Sequence, residues 1–152
     1  MNDIVEIRTI DDLLEYWVFL KQGMVALNDP RGAKATYTDD TFLQLLLKVF
    51  GMDEAGLIVV LQSKNGKPLA FGICFEAVDI MEERCFFVWA AYTNGKYKGG
   101  LQELCKYAET YARKRGIRCL KAATKRICGA NIRLFERGWK FRREFMTFRK
   151  DI

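Results

Sequence analysis

The stretch NGKYKGGLQELCKYAETYARKRG, residues 94–116, sets a basic, glycine-bearing turn directly before an amphipathic helical segment. Such a junction can hold an anion. The first amides of a helix have no intrahelical partner and carry partial positive charge, and glycine lets a ligand come close to the backbone. Lys96, Lys98, Gly99 and Gly100 have the residue types for this chemistry, with Tyr97 and Leu101 in the same window. The plainer reading, a loop that ends at a helix, stands beside it. Other chemistry is narrowed by what the chain contains. There is no histidine, which removes Ser–His and Cys–His nucleophiles and imidazole metal sites. The cysteines at 74, 85, 105, 119 and 128 form no C-x-x-C pair and fit no zinc site or disulfide framework. Cys74, Cys85, Cys105 and Cys119, in apolar segments, read as small core residues of a reducing compartment. Glu76, Glu82 and Glu83 are the carboxylates nearest the central apolar runs. They are candidates to deprotonate an amine through water, against the simpler reading as solvated hairpin charges.

Charge is divided along the chain. Residues 1–83 carry 7 Lys/Arg against 14 Asp/Glu, and residues 84–152 carry 18 against 5. A basic half implies an anionic partner, a phosphorylated cofactor or a nucleic acid, and an acidic half suits a cationic substrate. Solvated surface explains the same asymmetry without any partner. At 152 residues, half of them hydrophobic, the chain fits one domain, 1–152, with a real core. No run approaches the roughly 18 apolar residues of a membrane span, and the acidic start lacks signal-peptide character. A cytoplasmic protein with no membrane partner is the expectation, and a homodimer is compatible with it.

The elements that must position the turn follow from periodicity. Residues 4–8 alternate as a first strand, Thr9 caps a helix with Asp11 and Asp12 in its first turn, and Leu13, Trp17, Leu20 and Met24 form its stripe. Residues 28–34 read as a turn. Thr38 opens a second helix with Phe42, Leu45, Leu46 and Val49 on one face, and Gly51 is expected to stop it. Residues 56–78 predict a hairpin around Asn65-Gly66, with positive φ at both turn positions. A third β-type run covers 84–93, and the helix at 100–115 carries Leu101, Leu104, Cys105, Ala108, Tyr111 and Ala112 on one side, with Gly116 as its C-cap. A strand at 118–124, a short helix at 129–138 and a closing strand at 139–150 complete the order β-α-α-β-β-β-α-β-α-β. The fold class is α/β (α+β), a central mixed sheet flanked by helices.

This order, with a glycine-bearing turn after the central strand, resembles the GNAT acyltransferase superfamily over essentially the whole chain, most sharply at 86–139. The resemblance implies a motif Q/R-x-x-G-x-G/A that cradles the pyrophosphate of acetyl-CoA. It falls on Lys96, Tyr97, Lys98, Gly99, Gly100 and Leu101, with Gly99 as the middle glycine and Lys96 in place of Gln or Arg. Leu101 departs from the small residue that normally admits the cofactor, and a one-residue slip would use Gly100 instead. The resemblance also puts Ala91, Tyr92 and Thr93 where the pantetheine arm pairs with strand four. It implies an acetyl group moved from acetyl-CoA to a small or peptidyl amine, with Glu83 or Glu76 as candidate bases. The family's tyrosine acid falls on Leu134 or Phe135, which have no proton to give; Cys128, Thr124 or Tyr92 are the substitutes. Lys96, Lys98 and Arg126 are placed to meet CoA phosphates. Lys140, Arg142, Arg143, Arg149 and Lys150, interleaved with Trp139, Phe141 and Phe148, could form a nucleic-acid stripe, although alternation at strand spacing favours core packing. The worn motif keeps a second expectation open, a catalytically silent binding or structural protein of this fold. In size and in IRLFERGW the chain is similar to GNAT-like virion proteins of tailed phages, which would make it virion-associated.

Overall fold

The computed structural model describes residues 2–27, 38–78, 82–95 and 97–122. In chain order these form β1 (Asp3–Glu6), α1 (Ile10–Leu27), α2 (Asp39–Gly51), a 3-10 turn (Asp53–Ala55), β2 (Gly56–Gln62), β3 (Pro68–Val78), β4 (Arg84–Thr93), α3 (Gly100–Lys114) and β5 (Leu120–Ala122). The expected turn at 28–34, helix at 129–138 and closing strand at 139–150 lie outside the described residues, as do Lys96, Thr124, Arg126, Cys128, Leu134 and Phe135. Among the described residues the expected order holds.

Local chemistry explains the helix starts. The Asp12 amide donates to Thr9 Oγ1 at 3.1 Å, and the Thr9 amide donates back to Asp12 Oδ2 at 3.0 Å. Thr38 and Thr41 repeat this reciprocal cap at α2, with Thr41 N to Thr38 Oγ1 at 3.2 Å and Thr38 N to Thr41 Oγ1 at 2.8 Å. The end of α2 differs from expectation. Gly51 is still helical, and the first positive φ falls on Asp53 at 52°. At the C-terminus of α3, Gly116 (φ 73°) sits where a left-handed residue is needed. The Ile117 amide reaches back to Ala112 O and the Gly116 amide to Arg113 O, each at 3.0 Å.

The sheet runs β1-β2-β3-β4-β5, antiparallel except for the parallel β4–β5 pair. The β2–β3 hairpin corrects the expected turn. Positive φ occurs at Gly66 (74°) but not at Asn65, the Gly66 amide bonds Ser63 O at 2.8 Å, and Ser63 N bonds Lys67 O at 2.9 Å. This is the longer loop in which a turn is followed by one left-handed glycine.

Alternate strand residues feed two cores. Ile58, Val60, Phe71, Ile73 and Ala90 pack with α1 and α2, while Leu57, Val59, Leu61, Ala70, Cys74 and Phe86 pack with α3. On α1 the buried stripe includes Tyr16 and Phe19 as well as Leu13, Leu20 and Met24, and Trp17 is only half-buried. No described helix is long and apolar enough to cross a membrane.

Candidate functional site

The site begins with an irregularity in β4. Its register to β3 runs Arg84 to Val88 against Val78 to Cys74, then resumes with Ala90 against Ile73. Trp89 is therefore the extra residue of a β-bulge, and a bulge reverses the phase of the side chains that follow it. Phe86 and Val88 face the α3 core before the bulge; Ala90 and Tyr92 face the α1/α2 core after it. On the opposite edge, β5 pairs with Phe86, Phe87 and Val88 only, among the described residues. Past the bulge, Ala91, Tyr92 and Thr93 pair toward β3 through Gly72, Phe71 and Ala70. Among the described residues the parallel β4–β5 ladder covers Phe86 to Val88, just ahead of the bulge.

The turn that follows is held in place by the strand end. Asn94 N donates to Leu69 O at 3.0 Å, Tyr97 N to Asn94 O at 3.1 Å, and the Thr93 hydroxyl lies 3.2 Å from both Asn94 O and Tyr97 O. Gly99 then takes φ 102°, ψ −9° as the N-cap of α3, with no side-chain cap. Glu103 N donates to the cap carbonyl, Gly99 O, at 3.0 Å. The amides of Gly100, Leu101 and Gln102 precede that bond, so the helix itself supplies no acceptor for them.

The adjacent glycines serve different needs. A Cβ on Gly99 would meet nothing within 4 Å, whereas one on Gly100 would meet Tyr97 Cδ1 at 2.9 Å, Ala70 Cβ at 3.1 Å and Thr93 Oγ1 at 3.3 Å. Gly99 therefore faces open space and Gly100 is a packing glycine. Leu101, whose bulk the sequence sets in the approach to the turn, is half-buried and packs against the α3-side core. Lys98 is exposed.

Other expected site residues are committed elsewhere. The Tyr92 ring packs against Phe19 and Phe71 at centroid separations of 5.8 and 5.6 Å, as a core side chain. Tyr97 donates its hydroxyl to Glu103 and accepts from Asn2 Nδ2; the bond to the Glu103 carboxylate raises its pKa. Glu76 is clamped by Arg84 Nε and by Arg115 Nη2, the latter at 3.1 Å. The hydrogen bond from Arg84, with that from Arg115, holds its carboxyl below the usual range. Glu76 and Glu83 lie toward the end of the β3–β4 hairpin remote from Gly99: Glu76 is six residues from Ala70, about 20 Å at a strand's rise. Glu83 is exposed and bonded to Cys119, whose thiol burial and that bond push up to about 11. The structure therefore gathers Ala91, Thr93, Tyr97, Gly99, Gly100 and Leu101 at one corner and leaves both glutamates away from it. Sequence reasoning missed Trp89, Asn2 and Glu103. The bulge leaves no trace in a continuous apolar run, and Asn2 lies far from Tyr97 in sequence. Glu103, though close to Tyr97, meets it across the helix start and not at a helical spacing.

A second depression, about 630 Å³, is lined by Glu6, Arg8, Asp53, Glu54, Tyr111, Lys114 and Arg115. Its guanidiniums are already used. Arg8 bonds Tyr111 Oη at 2.9 Å and the carbonyls of Asp53 and Gly56 at 3.3 and 3.2 Å, and Arg115 bonds Glu54 at 3.0 Å. No group of three or more His, Cys, Asp or Glu able to hold a metal occurs among the described residues.

Against solved structures, the chain is similar to an aminoglycoside N-acetyltransferase in complex with CoA, at TM-score 0.74 and 14% identity over 100% of this chain and 96% of that one. It is also similar to a ribosomal-protein-alanine N-acetyltransferase from Brucella melitensis biovar Abortus 2308, at TM-score 0.72 and 19% identity over the whole of both chains. The fold is the GNAT acetyltransferase fold. A glucosamine-6-phosphate N-acetyltransferase from Arabidopsis thaliana is a further GNAT neighbour, at TM-score 0.69 and 12% identity over 99% and 98% of the two chains. No family model and no curated protein matches the sequence. The GNAT likeness is one of backbone architecture: the expected mixed sheet is present at 14% and 19% sequence identity to the aminoglycoside and ribosomal-protein-alanine enzymes.

Proposed function

We propose that residues 1–152 form one domain that acts as a GNAT-type N-acyltransferase, using acetyl-CoA and a small or peptidyl amine. The observation that carries this reading is a bulged β4 that leads into an open left-handed Gly99 at the start of α3. Neighbours of this fold include an enzyme in complex with CoA, and amine-modifying enzymes for aminoglycoside, sugar-phosphate and ribosomal-protein substrates.

The residues present fit a CoA-type ligand. The amides of Gly100, Leu101 and Gln102 at an uncapped helix start suit a phosphate. Gly99 leaves room above them, and the packed Leu101 side chain is compatible with that room. Lys98 adds positive charge, and Lys96 is proposed to do the same. The backbone of Ala91–Thr93, just past the bulge, suits an extended arm that adds to the sheet as a strand does. When bound, acetyl-CoA supplies an acyl group activated as a thioester. The chain's part is to hold that group along β4 and to aim a backbone N–H near the bulge at its carbonyl oxygen.

Proton handling differs from the sequence expectation. Glu76, clamped by two guanidiniums, is a strut rather than a base poised near neutral pH. Glu83 is kept as the candidate base, acting through water, and Cys128 as the candidate acid.

Isothermal calorimetry with acetyl-CoA tests the reading. Binding is expected, and Gly99→Glu should abolish it by setting a carboxylate against the phosphates. Absence of binding at millimolar ligand would refute the function, and unchanged affinity in the variant would refute the assignment of the turn. A second reading, a GNAT-fold binding protein without turnover, is favoured by one observation. The residues flanking the bulge, Phe87, Val88, Trp89, Ala90 and Ala91, carry no titratable side chain. CoA binding without acetylation of any amine in a broad panel would select it.

A further inference from the structure

One set of ties on the phosphate-side turn is made of side chains alone. Asn2 Nδ2 donates to the Tyr97 hydroxyl, and that hydroxyl donates to Glu103. An ionised carboxylate only accepts, so the direction of donation along the chain is fixed. Each link polarises the next. Three segments are joined by it: the residue before β1, the turn, and the first turn of α3. The Tyr97 ring adds packing, since it lies against Gly100 and the α3-side core.

Glu103 is the acidic residue in the first turn of α3. A carboxylate there is drawn to the helix's positive end, where a bound anion must compete with it. Left unheld, it can turn toward the free amides; bonded to Tyr97, it is kept at the side of the turn. We propose that Tyr97 is a positioning residue for CoA, acting through Glu103. By holding the carboxylate aside it leaves the amides of Gly100, Leu101 and Gln102 available to phosphate, and Asn2, just before β1, secures the Tyr97 hydroxyl. This rests on the proposed CoA-binding function.

The test is a calorimetric titration of CoA into the full chain and four variants: Tyr97→Phe, Asn2→Ala, Glu103→Gln and the Tyr97→Phe/Glu103→Gln pair. Tyr97→Phe keeps the ring packing and removes the hydroxyl, so Kd is expected to rise about tenfold. Glu103→Gln keeps an acceptor oxygen and removes the charge, so Kd should hold or fall. In the double variant the loss should be mostly recovered, because no charge remains to compete. A purely structural role for the hydroxyl predicts no such recovery.

Binding by the wild type with Kd in Tyr97→Phe within twofold of it would overturn the proposal and leave the function standing. So would weakened binding in Tyr97→Phe that Glu103→Gln fails to recover. Should Tyr97→Phe not fold, Asn2→Ala decides: a severalfold rise in Kd supports the chain of bonds, and an unchanged Kd overturns it. Failure of the wild type to bind CoA would instead remove the function, and this inference with it.

Discussion

At the residue scale the adjacent glycines at the start of α3 can be separated by substitution. Gly99 needs glycine for its dihedral angles, at φ 102°, and has open space where a Cβ would point. Gly100 needs glycine for space, with Tyr97 Cδ1 at 2.9 Å and Ala70 Cβ at 3.1 Å from a Cβ. Asparagine tolerates the left-handed region better than alanine, so Gly99→Asn should cost less stability than Gly99→Ala, which loses about 1–2 kcal/mol. At Gly100 the order should reverse: alanine overpacks by about 1–3 kcal/mol and the larger asparagine by more. Chemical denaturation of the four variants checks both orders, and the same ranking at both positions would contradict this division of roles. The GG pair shows what the sequence made legible. It marked the start of a helix and the placement of Gly99, but a glycine required by dihedral angles and one required by packing are the same letter. Only the partners of Gly100, on β3 and at the end of β4, tell them apart.

Among the elements, β4 carries the least legible feature of the molecule. RCFFVWAAYT is apolar at nearly every position, so neither face can be assigned from its pattern, and the bulge at Trp89 changes the assignment midway. Tyr92, open to a chemical role in the sequence, thereby becomes a core ring beneath α1. Helix starts were easier, because Thr9 and Thr38 act on amides within three residues. Helix ends were uneven: Gly116 sits where its residue type suggests, but the reversal after α2 passes over Gly51 to Asp53, at φ 52°. A local pattern finds a glycine; it does not reveal that Arg8 Nη1 from the β1–α1 connection reaches Asp53 O at 3.3 Å and Gly56 O at 3.2 Å, fixing the chain there. Asp53→Gly is therefore expected to be tolerated, since glycine adopts this conformation freely. Asp53→Val should lose about 1–2 kcal/mol or more, because a β-branched residue fits the left-handed region poorly. Thermal unfolding compares them; equal stability of the two variants would show that the backbone can reverse at another residue.

Across the whole molecule, the end of the sheet remote from Gly99 is joined by charge among the described residues. Arg115, just past α3, bonds Glu54 in the 3-10 turn at 3.0 Å and Glu76 on β3 at 3.1 Å, while Glu76 also accepts from Arg84 on β4. This network lets the helix that begins at Gly100 be braced at its far end by β3, β4 and the segment before β2. Its dependence on pH follows from Glu76, whose carboxyl is lowered from its ordinary value of 4.5, first by the hydrogen bond from Arg84. A depressed pKa in the folded state means that the unfolded chain binds the proton more readily. The stability supplied by this carboxylate is then complete well above pH 4.5 and is lost as pH falls below that value and through the lowered one. Glu76→Gln removes the charge at every pH and leaves Arg84 and Arg115 facing a neutral amide. The stability gap between wild type and variant, from urea unfolding, should be widest near neutral pH and close as the solution is acidified below 4.5. A gap that stays constant through that range would assign the loss to packing at β3 and not to the ion pairs. If the gap closes and CoA affinity at neutral pH is unchanged in Glu76→Gln, the carboxylate is a brace for the fold and stands outside the chemistry.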